Sequence, residues 1–154
     1  MDVSDVEARH IMTKQVLTVR GSATLAEAAK VMRKHHVSGL PIVDKAGRVL
    51  GILSEKDVLR SLEEPLPSSL PASLIDLVLT GGAGAQASLD KLRDHLEANR
   101  VERWMTPDPI VVPPEASVAD IAELMRERKI NRVPVVEGKR LVGIVTRYDV
   151  LNAL

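Results

Sequence analysis

No cysteine and no phenylalanine occur among the 154 residues, and Trp104 and Tyr148 are the only Trp and Tyr. Without cysteine there is no disulfide framework and no thiolate for metal binding or nucleophilic attack, a composition that suits a reducing compartment. Net charge is absent too: 21 lysines and arginines balance 21 acids. No overall field therefore draws the chain toward nucleic acid or an anionic membrane. No charged-then-apolar leader opens the sequence, and no apolar run approaches the roughly 18 residues that a membrane helix needs. The longest such run, residues 74–79, is interrupted by Asp76. The expectation is a cytoplasmic protein, away from membranes, with a core of Val, Ile, Leu, Met and Ala. The length suffices for one good core or two small, mutually dependent ones.

What is present is a sentence written twice: GILSEKD from Gly51 and GIVTRYD from Gly143. Sliding the chain by 93 positions lays Met12-Thr13 on Met105-Thr106, Val19 on Val112, Met32-Arg33 on Met125-Arg126 and Pro41 on Pro134. One deletion in the following turn changes the offset to 92 and aligns Gly51-Ile52 with Gly143-Ile144 and Asp57-Val58-Leu59 with Asp149-Val150-Leu151. Self-similarity of this kind marks tandem copies of one supersecondary unit.

Each copy reads β-α-β-β-α, an α+β pattern. A short apolar strand is expected at 17–19 and again at 110–112. Thr24-x-x-Glu27 and Ser117-x-x-Asp120 follow as capping boxes, in which a hydroxyl and a carboxylate each satisfy a backbone N–H at a helix start. Leu25, Ala28, Ala29 and Met32 then recur at helical spacing, as do Val118, Ile121, Ala122 and Met125, so each helix buries one stripe. Strands are expected at 40–43 and 49–53, joined by a turn at 44–47, and at 133–136 and 141–145, joined by a tighter turn at Glu137-Gly138. A second helix starts near Asp57 and near Asp149. One copy is marginal alone, and the pair is expected to pack with pseudo-twofold symmetry around a shared core.

The organisation is thus repeat one at 10–62, an insertion at 63–102 and repeat two at 103–154. In the insertion Pro65, Pro67 and Pro71 with Ser68-Ser69 mark a loop, residues 72–79 a short helix, and Gly81-Gly82-Ala83-Gly84 a turn that lacks the Gly-Lys-Ser/Thr ending of a phosphate loop. Residues 88–100 read as a helix with Leu89, Leu92 and Leu96 on one side. Trp104 is expected to anchor the insertion to repeat two.

Met-Thr, a short strand, a capped helix, an x-x-Pro strand and G-h-h-[ST]-x-x-D (h apolar), in that order and twice, resemble the CBS domain; two copies resemble a CBS pair, or Bateman module. The likeness covers residues 11–62 and 103–154. It implies a regulatory module that binds adenosine-containing ligands (AMP, ADP, ATP or S-adenosylmethionine) in clefts between the repeats, without an obligatory cofactor. Carried over, Thr146 with Asp149 marks one cleft and Ser54 with Asp57 the other, each Asp holding ribose hydroxyls. The resemblance assigns phosphate contacts to Asn131-Arg132 in one copy and Ser38-Gly39 in the other. Adenine contacts fall to Thr13, Leu17 and Val37 for the Asp149 cleft, and to Thr106, Ile110 and Ile130 for the Asp57 cleft. Arg147 adds a cation beside Asp149, and Lys56 one beside Asp57, where Ser38-Gly39 has none. The Asp149 cleft is expected to be the tighter phosphate site. The resemblance also implies a homodimer formed through helices and an effector protein acting in trans.

Simpler roles stand beside these. Asp57 and Asp149 cap helices whatever else they do, and Arg132 has Glu127 and Glu137 as surface partners. His35-His36 complement a helix C-terminus, because adjacent residues point to different faces and no ligand recurs at i+4. Ser54 and Thr146 have no neighbouring His in sequence, so no catalytic residues are assigned and the chain is read as a non-enzyme. A ligand-free assembly module is the main alternative. A nucleic-acid binder using Arg126, Arg128, Arg132 and Arg147 is disfavoured by neutral charge and scarce aromatics.

Overall fold

Four helices begin where the sequence sets a hydroxyl three residues ahead of a carboxylate. Thr24, Ser54 and Thr146 are N-caps of complete capping boxes closed by Glu27, Asp57 and Asp149. Ser117 is the N-cap of its own helix and accepts from the Asp120 N–H at 3.0 Å. The computed structural model describes residues 2–63 and 85–154, with the backbone alone for Val3 and residues 85–89. The loop expected around Pro65, Pro67 and Pro71, the helix at 72–79, the turn at 81–84 and the Leu89 side chain lie outside the described residues.

The elements run α1 (Ala8–Ile11), β1 (Val19–Arg20), α2 (Leu25–His35), β2 (Gly39–Val43), β3 (Val49–Ser54), α3 (Glu55–Leu62), α4 (Ala85–Ala98), α5 (Val101–Trp104), β4 (Thr106–Pro107), α6 (Val118–Arg128), β5 (Arg132–Glu137), β6 (Arg140–Thr146) and α7 (Arg147–Asn152). Strands β1 to β4 form one sheet in that order, and β5 pairs with β6 in another.

Two expected strands are shorter than the pattern suggested. The first is confined to Val19–Arg20, ending at a turn over Gly21-Ser22. The second is reduced to a single parallel bridge between Val112 and Val135. Pro109, Pro113 and Pro114 flank Val112, and proline has no N–H to extend a ladder. Helices α3 and α7 start two residues before the aspartates, which sit at the third helical position. The last insertion helix covers Ala85–Ala98 instead of 88–100. Asn99 leaves the helix and donates from its side chain to the His95 carbonyl at 2.8 Å, and Arg100 bridges Thr24.

The chain divides into two compact units. One, the Asp149 unit, comprises Met1–Thr18, Val43–Gly51 and Pro107–Leu154; the other, the Asp57 unit, comprises Val19–Ile42 and Ile52–Thr106. Each unit takes its leading segment from the opposite copy. In the Asp149 unit Ala8 N–H donates to the Ala116 carbonyl (2.7 Å) and Val118 N–H to Val6 (2.8 Å). In the Asp57 unit Val101 N–H donates to Ala23 (2.8 Å) and Leu25 N–H to Asn99 (2.8 Å). These are the same bonds at equivalent positions, made in each direction once.

Within the Asp149 unit α6 buries Val118, Ile121 and Met125 against Val133, Val135, Val145, Val150, Val112 and Ala8. Each such side chain contributes about 1.5–3 kcal/mol on burial, whereas a helix cap is worth about 1 kcal/mol. Packing of the stripe therefore holds the helix and the cap sets its start. Strand β5 pairs antiparallel with β6 from Arg132↔Thr146 to Glu137↔Arg140, with an irregularity at Val135/Val136. Gly138, at φ +65°, makes the two-residue turn between them. Thr13 bridges Ile144, and the neighbouring Gly143 lets the Met12 side chain lie against the β6 backbone.

In the Asp57 unit α2 buries Leu25, Ala28 and Met32, and the core adds Leu40, Ile42, Leu53, Val101 and Trp104. Helix α4 packs on α2, with Leu92 and Leu96 half-buried. Trp104, expected to anchor the insertion to repeat two, lies on α5, which packs on α3 of repeat one. Both α2 and α6 end on a left-handed residue that is not glycine, His36 and Lys129, each at φ +54°.

Candidate ligand-binding site

The site residues of the Asp149 unit are brought together by β5, β6 and the start of α7. Thr146 ends β6 and caps α7: its backbone N–H donates to Asp149 Oδ2 at 2.8 Å, and its hydroxyl donates to the same oxygen at 3.0 Å while accepting from the Asp149 N–H at 3.3 Å. The Arg147 N–H donates to the Asn131 carbonyl at 2.8 Å, which holds Asn131 beside the helix start, and Arg132 is the register partner of Thr146. Arg147 is exposed and Arg132 half-buried. Thr13, paired with Ile144, is exposed at the same end of β6. Leu17 belongs to this unit as well and is half-buried.

The Asp57 unit repeats the framework almost bond for bond. Ser54 N–H and hydroxyl donate to Asp57 Oδ2 at 2.8 and 3.1 Å, and the Asp57 N–H donates back to the Ser54 hydroxyl at 3.3 Å. The Glu55 N–H donates to the Ser38 carbonyl at 3.0 Å, the counterpart of the Arg147–Asn131 bond. Lys56 is exposed on the first turn of α3, and Thr106 is exposed on β4.

The remaining residues fall as follows. Val37, expected with the Asp149 site, lies in the Asp57 unit; Ile110 and Ile130, expected with the Asp57 site, lie in the Asp149 unit, where Ile130 packs on the core. Val37 and Ser38 line a surface cavity of about 630 Å³ between α2 and α3, together with Met32, Arg33, His36 and Val58, and neither Ser54 nor Asp57 reaches it.

One residue was missed by the sequence reading. Arg60 donates from Nη2 to Asp57 Oδ1 at 3.3 Å and to the Trp104 carbonyl at 3.1 Å. Its guanidinium also lies over the Trp104 ring, 5.8 Å from the centroid, with Arg103 at 5.4 Å. The signal was an arginine three residues after an aspartate on a helix, a spacing at which side chains meet. The equivalent position after Asp149 is Asn152. Among the described residues no group donates to Asp149 Oδ1, and no cluster of three or more metal-ligating side chains comes together.

A family profile of the CBS domain matches residues 3–64 and 101–154. The chain belongs to the CBS-domain family. Its two copies form a CBS pair, and the structure is similar to solved CBS pairs along nearly its whole length. One is the CBS domain of a CBS domain-containing membrane protein from Sphaerobacter thermophilus, 34% identical, TM-score 0.79, covering 99% of this chain and 90% of that one. A second is CBSX2 from Arabidopsis thaliana, solved in complex with AMP, 26% identical, TM-score 0.71, covering 96% of this chain and 95% of that one. A third is the CBS pair of protein MJ0100, solved with 5′-methylthioadenosine and S-adenosyl-L-methionine, 26% identical, TM-score 0.69, covering 96% and 94%. None of the described helices is long and apolar enough to cross a membrane.

Proposed function

We propose that this CBS pair is a regulatory binding module for an adenosine-containing ligand, AMP, ADP, ATP or S-adenosylmethionine, and that the Asp149 site is its principal site. The observation that carries the reading is the division of labour at Asp149. Capping engages Oδ2, and Oδ1 remains for a ribose diol. Hydrogen bonds to a charged acceptor contribute about 1.5–3 kcal/mol each. Asn131, Arg132 and Arg147 stand at the same helix start, where a phosphate finds polar and cationic partners. The ligands held in the CBSX2 and MJ0100 structures support an adenosine moiety, as the group they share.

The module acts by population shift: ligand favours one arrangement of the chain and thereby one surface for an effector protein in trans. A homodimer through helices is favoured by apolar side chains left exposed at equivalent positions. Leu59 on α3 is 63% exposed and Leu151 on α7 is 60% exposed, and Tyr148 adds to the latter patch.

A thermal-shift panel of AMP, ADP, ATP and S-adenosylmethionine against a non-adenine nucleotide tests the reading. A specific ligand at a hundredfold excess over Kd stabilises the fold by about 2.7 kcal/mol. A shift confined to adenosine compounds supports the sensor; no shift with any of them favours the ligand-free assembly module.

A further inference from the structure

The two aspartates are held alike, yet one of them is already taken. We propose that Arg60 is a built-in competitor at the Asp57 site: it occupies the carboxylate oxygen that a ligand's diol needs, so that the Asp57 site accepts an adenosine ligand only when Arg60 is released. The inference rests on the functional reading above and specifies how the two sites differ under it.

Asp57 is 8% exposed, and its Oδ2 is committed to the Ser54 N–H and hydroxyl. Only Oδ1 is left, and Arg60 Nη2 sits on it at 3.3 Å. The Arg60 side chain is 58% exposed, and what fixes its guanidinium is two further contacts. The same nitrogen donates to the Trp104 carbonyl at 3.1 Å, and the guanidinium lies over the Trp104 ring. Trp104 is itself 9% exposed and wedged in the core, so it is a fixed platform. Releasing Arg60 breaks an ion pair, a hydrogen bond and a cation–π contact together. At the matching place the Asp149 unit has Asn152 in the role of Arg60 and Ile11 in that of Trp104. Neither supplies a cation or a ring, so the Asn152 and Ile11 positions give Asp149 no such competitor.

Trp104 is also the protein's one tryptophan, so its emission is a single reporter beside Arg60, with Arg103 over the same ring. The test is calorimetric titration of AMP and S-adenosylmethionine, with emission followed in parallel. It uses the full chain carrying Asp149→Asn, which leaves the Asp57 site, with and without Arg60→Asn. Arg60→Gln serves as a second variant that keeps helix propensity, and melting curves check folding. Removing the competitor is expected to tighten the Asp57 site on the order of tenfold. The ligand-induced change in Trp104 emission, present with Arg60, is expected to vanish in both variants. The reciprocal Asn152→Arg, in the otherwise native chain, installs a pair at Asp149 without the tryptophan platform and is expected to weaken that site by about threefold. Unchanged or weaker binding in both Arg60 variants overturns the inference, the latter making Arg60 a ligand contact. If the native chain binds an adenosine compound through Asp149 but Arg60 has no effect, this inference fails alone; if neither the native chain nor any variant binds any of them, the functional reading fails with it.

Discussion

Ser54 with Asp57 and Thr146 with Asp149 are the same device built twice, with the backbone bond at 2.8 Å in both and the hydroxyl bond at 3.1 and 3.0 Å. What differs lies one helical turn further on, where Arg60 faces Asp57 Oδ1 and Asn152 stands at the equivalent place after Asp149. Duplication preserved the part of the motif that starts a helix, because either helix loses its start without it. The second carboxylate oxygen is free of that demand. In the Asp57 unit it is drawn into an ion pair with Arg60, and in the Asp149 unit no described group is seen donating to it. Equivalence of scaffold therefore does not carry equivalence of site.

The largest effect on this comparison comes from breaking one scaffold and sparing the other. A Cβ at Gly143 collides with Met12 Sδ and Cγ. Gly143→Ala is expected to destabilise the protein by about 1–3 kcal/mol through overpacking, seen as a lower urea midpoint. An unchanged midpoint would mean that Met12 moves aside without cost. A smaller effect tests the claim that the caps are alike: Ser54→Ala and Thr146→Ala should each cost about 0.5–2 kcal/mol, by similar amounts. A markedly larger cost at Ser54 would show that Arg60 stabilises the helix start as well as the carboxylate.

How much of this was legible in the sequence depends on the range of the interaction. The capping boxes, the buried stripes of α2 and α6 and the hairpins are set within a few residues, and the residue pattern carried them. The exchange of leading segments is not local. Val6 and Ala8 pair with Val118 and Ala116 across the whole insertion, and no periodicity in either segment announces a partner so distant. The truncated strands have local causes: the turn over Gly21-Ser22 ends the first, and Pro109, Pro113 and Pro114 flank the second. At the site, Asp149, Thr146, Asn131 and Arg132 are adjacent through one hairpin and one helix start, the same residues that the resemblance names together. Val37, Ile110 and Ile130 depend on which unit each segment joins. Arg60 was readable at i+3 from Asp57, but its Trp104 platform required the fold.

Two finer predictions concern one feature on which the copies agree and one on which they do not. His36 and Lys129 hold the left-handed conformation without being glycine, so His36→Gly and Lys129→Gly should each raise stability by about 0.5–1 kcal/mol in thermal unfolding. A gain in one unit alone would show that their helix ends differ in more than sequence. The smallest effect lies at the first hairpin turn. Asp44 Oδ1 accepts from the Ala46 and Arg48 N–H groups at 2.9 and 3.0 Å, and Oδ2 from Arg48 Nε at 2.8 Å. The Arg48 backbone N–H, above all, holds the Asp44 carboxyl below its ordinary value against a partial desolvation. A depressed folded-state value means that the turn's contribution is fully present above the ordinary carboxylate value and is lost as pH falls through the lowered one. Asp44→Asn should remove that part of the acid dependence, read by carboxyl NMR titration and unfolding at acid pH. The second hairpin needs no such carboxylate, because Gly138 makes its two-residue turn.

The most direct test is titration calorimetry of the native chain and of Asp149→Asn with AMP and S-adenosylmethionine. Asparagine still caps a helix but replaces the charged acceptor with an amide. The account predicts that Asp149→Asn weakens the tightest site by about tenfold or more, the equilibrium equivalent of one charge-assisted hydrogen bond, while the melting temperature without ligand scarcely moves. Equal affinity in the two proteins, or a loss of binding that merely follows a loss of fold, would contradict it.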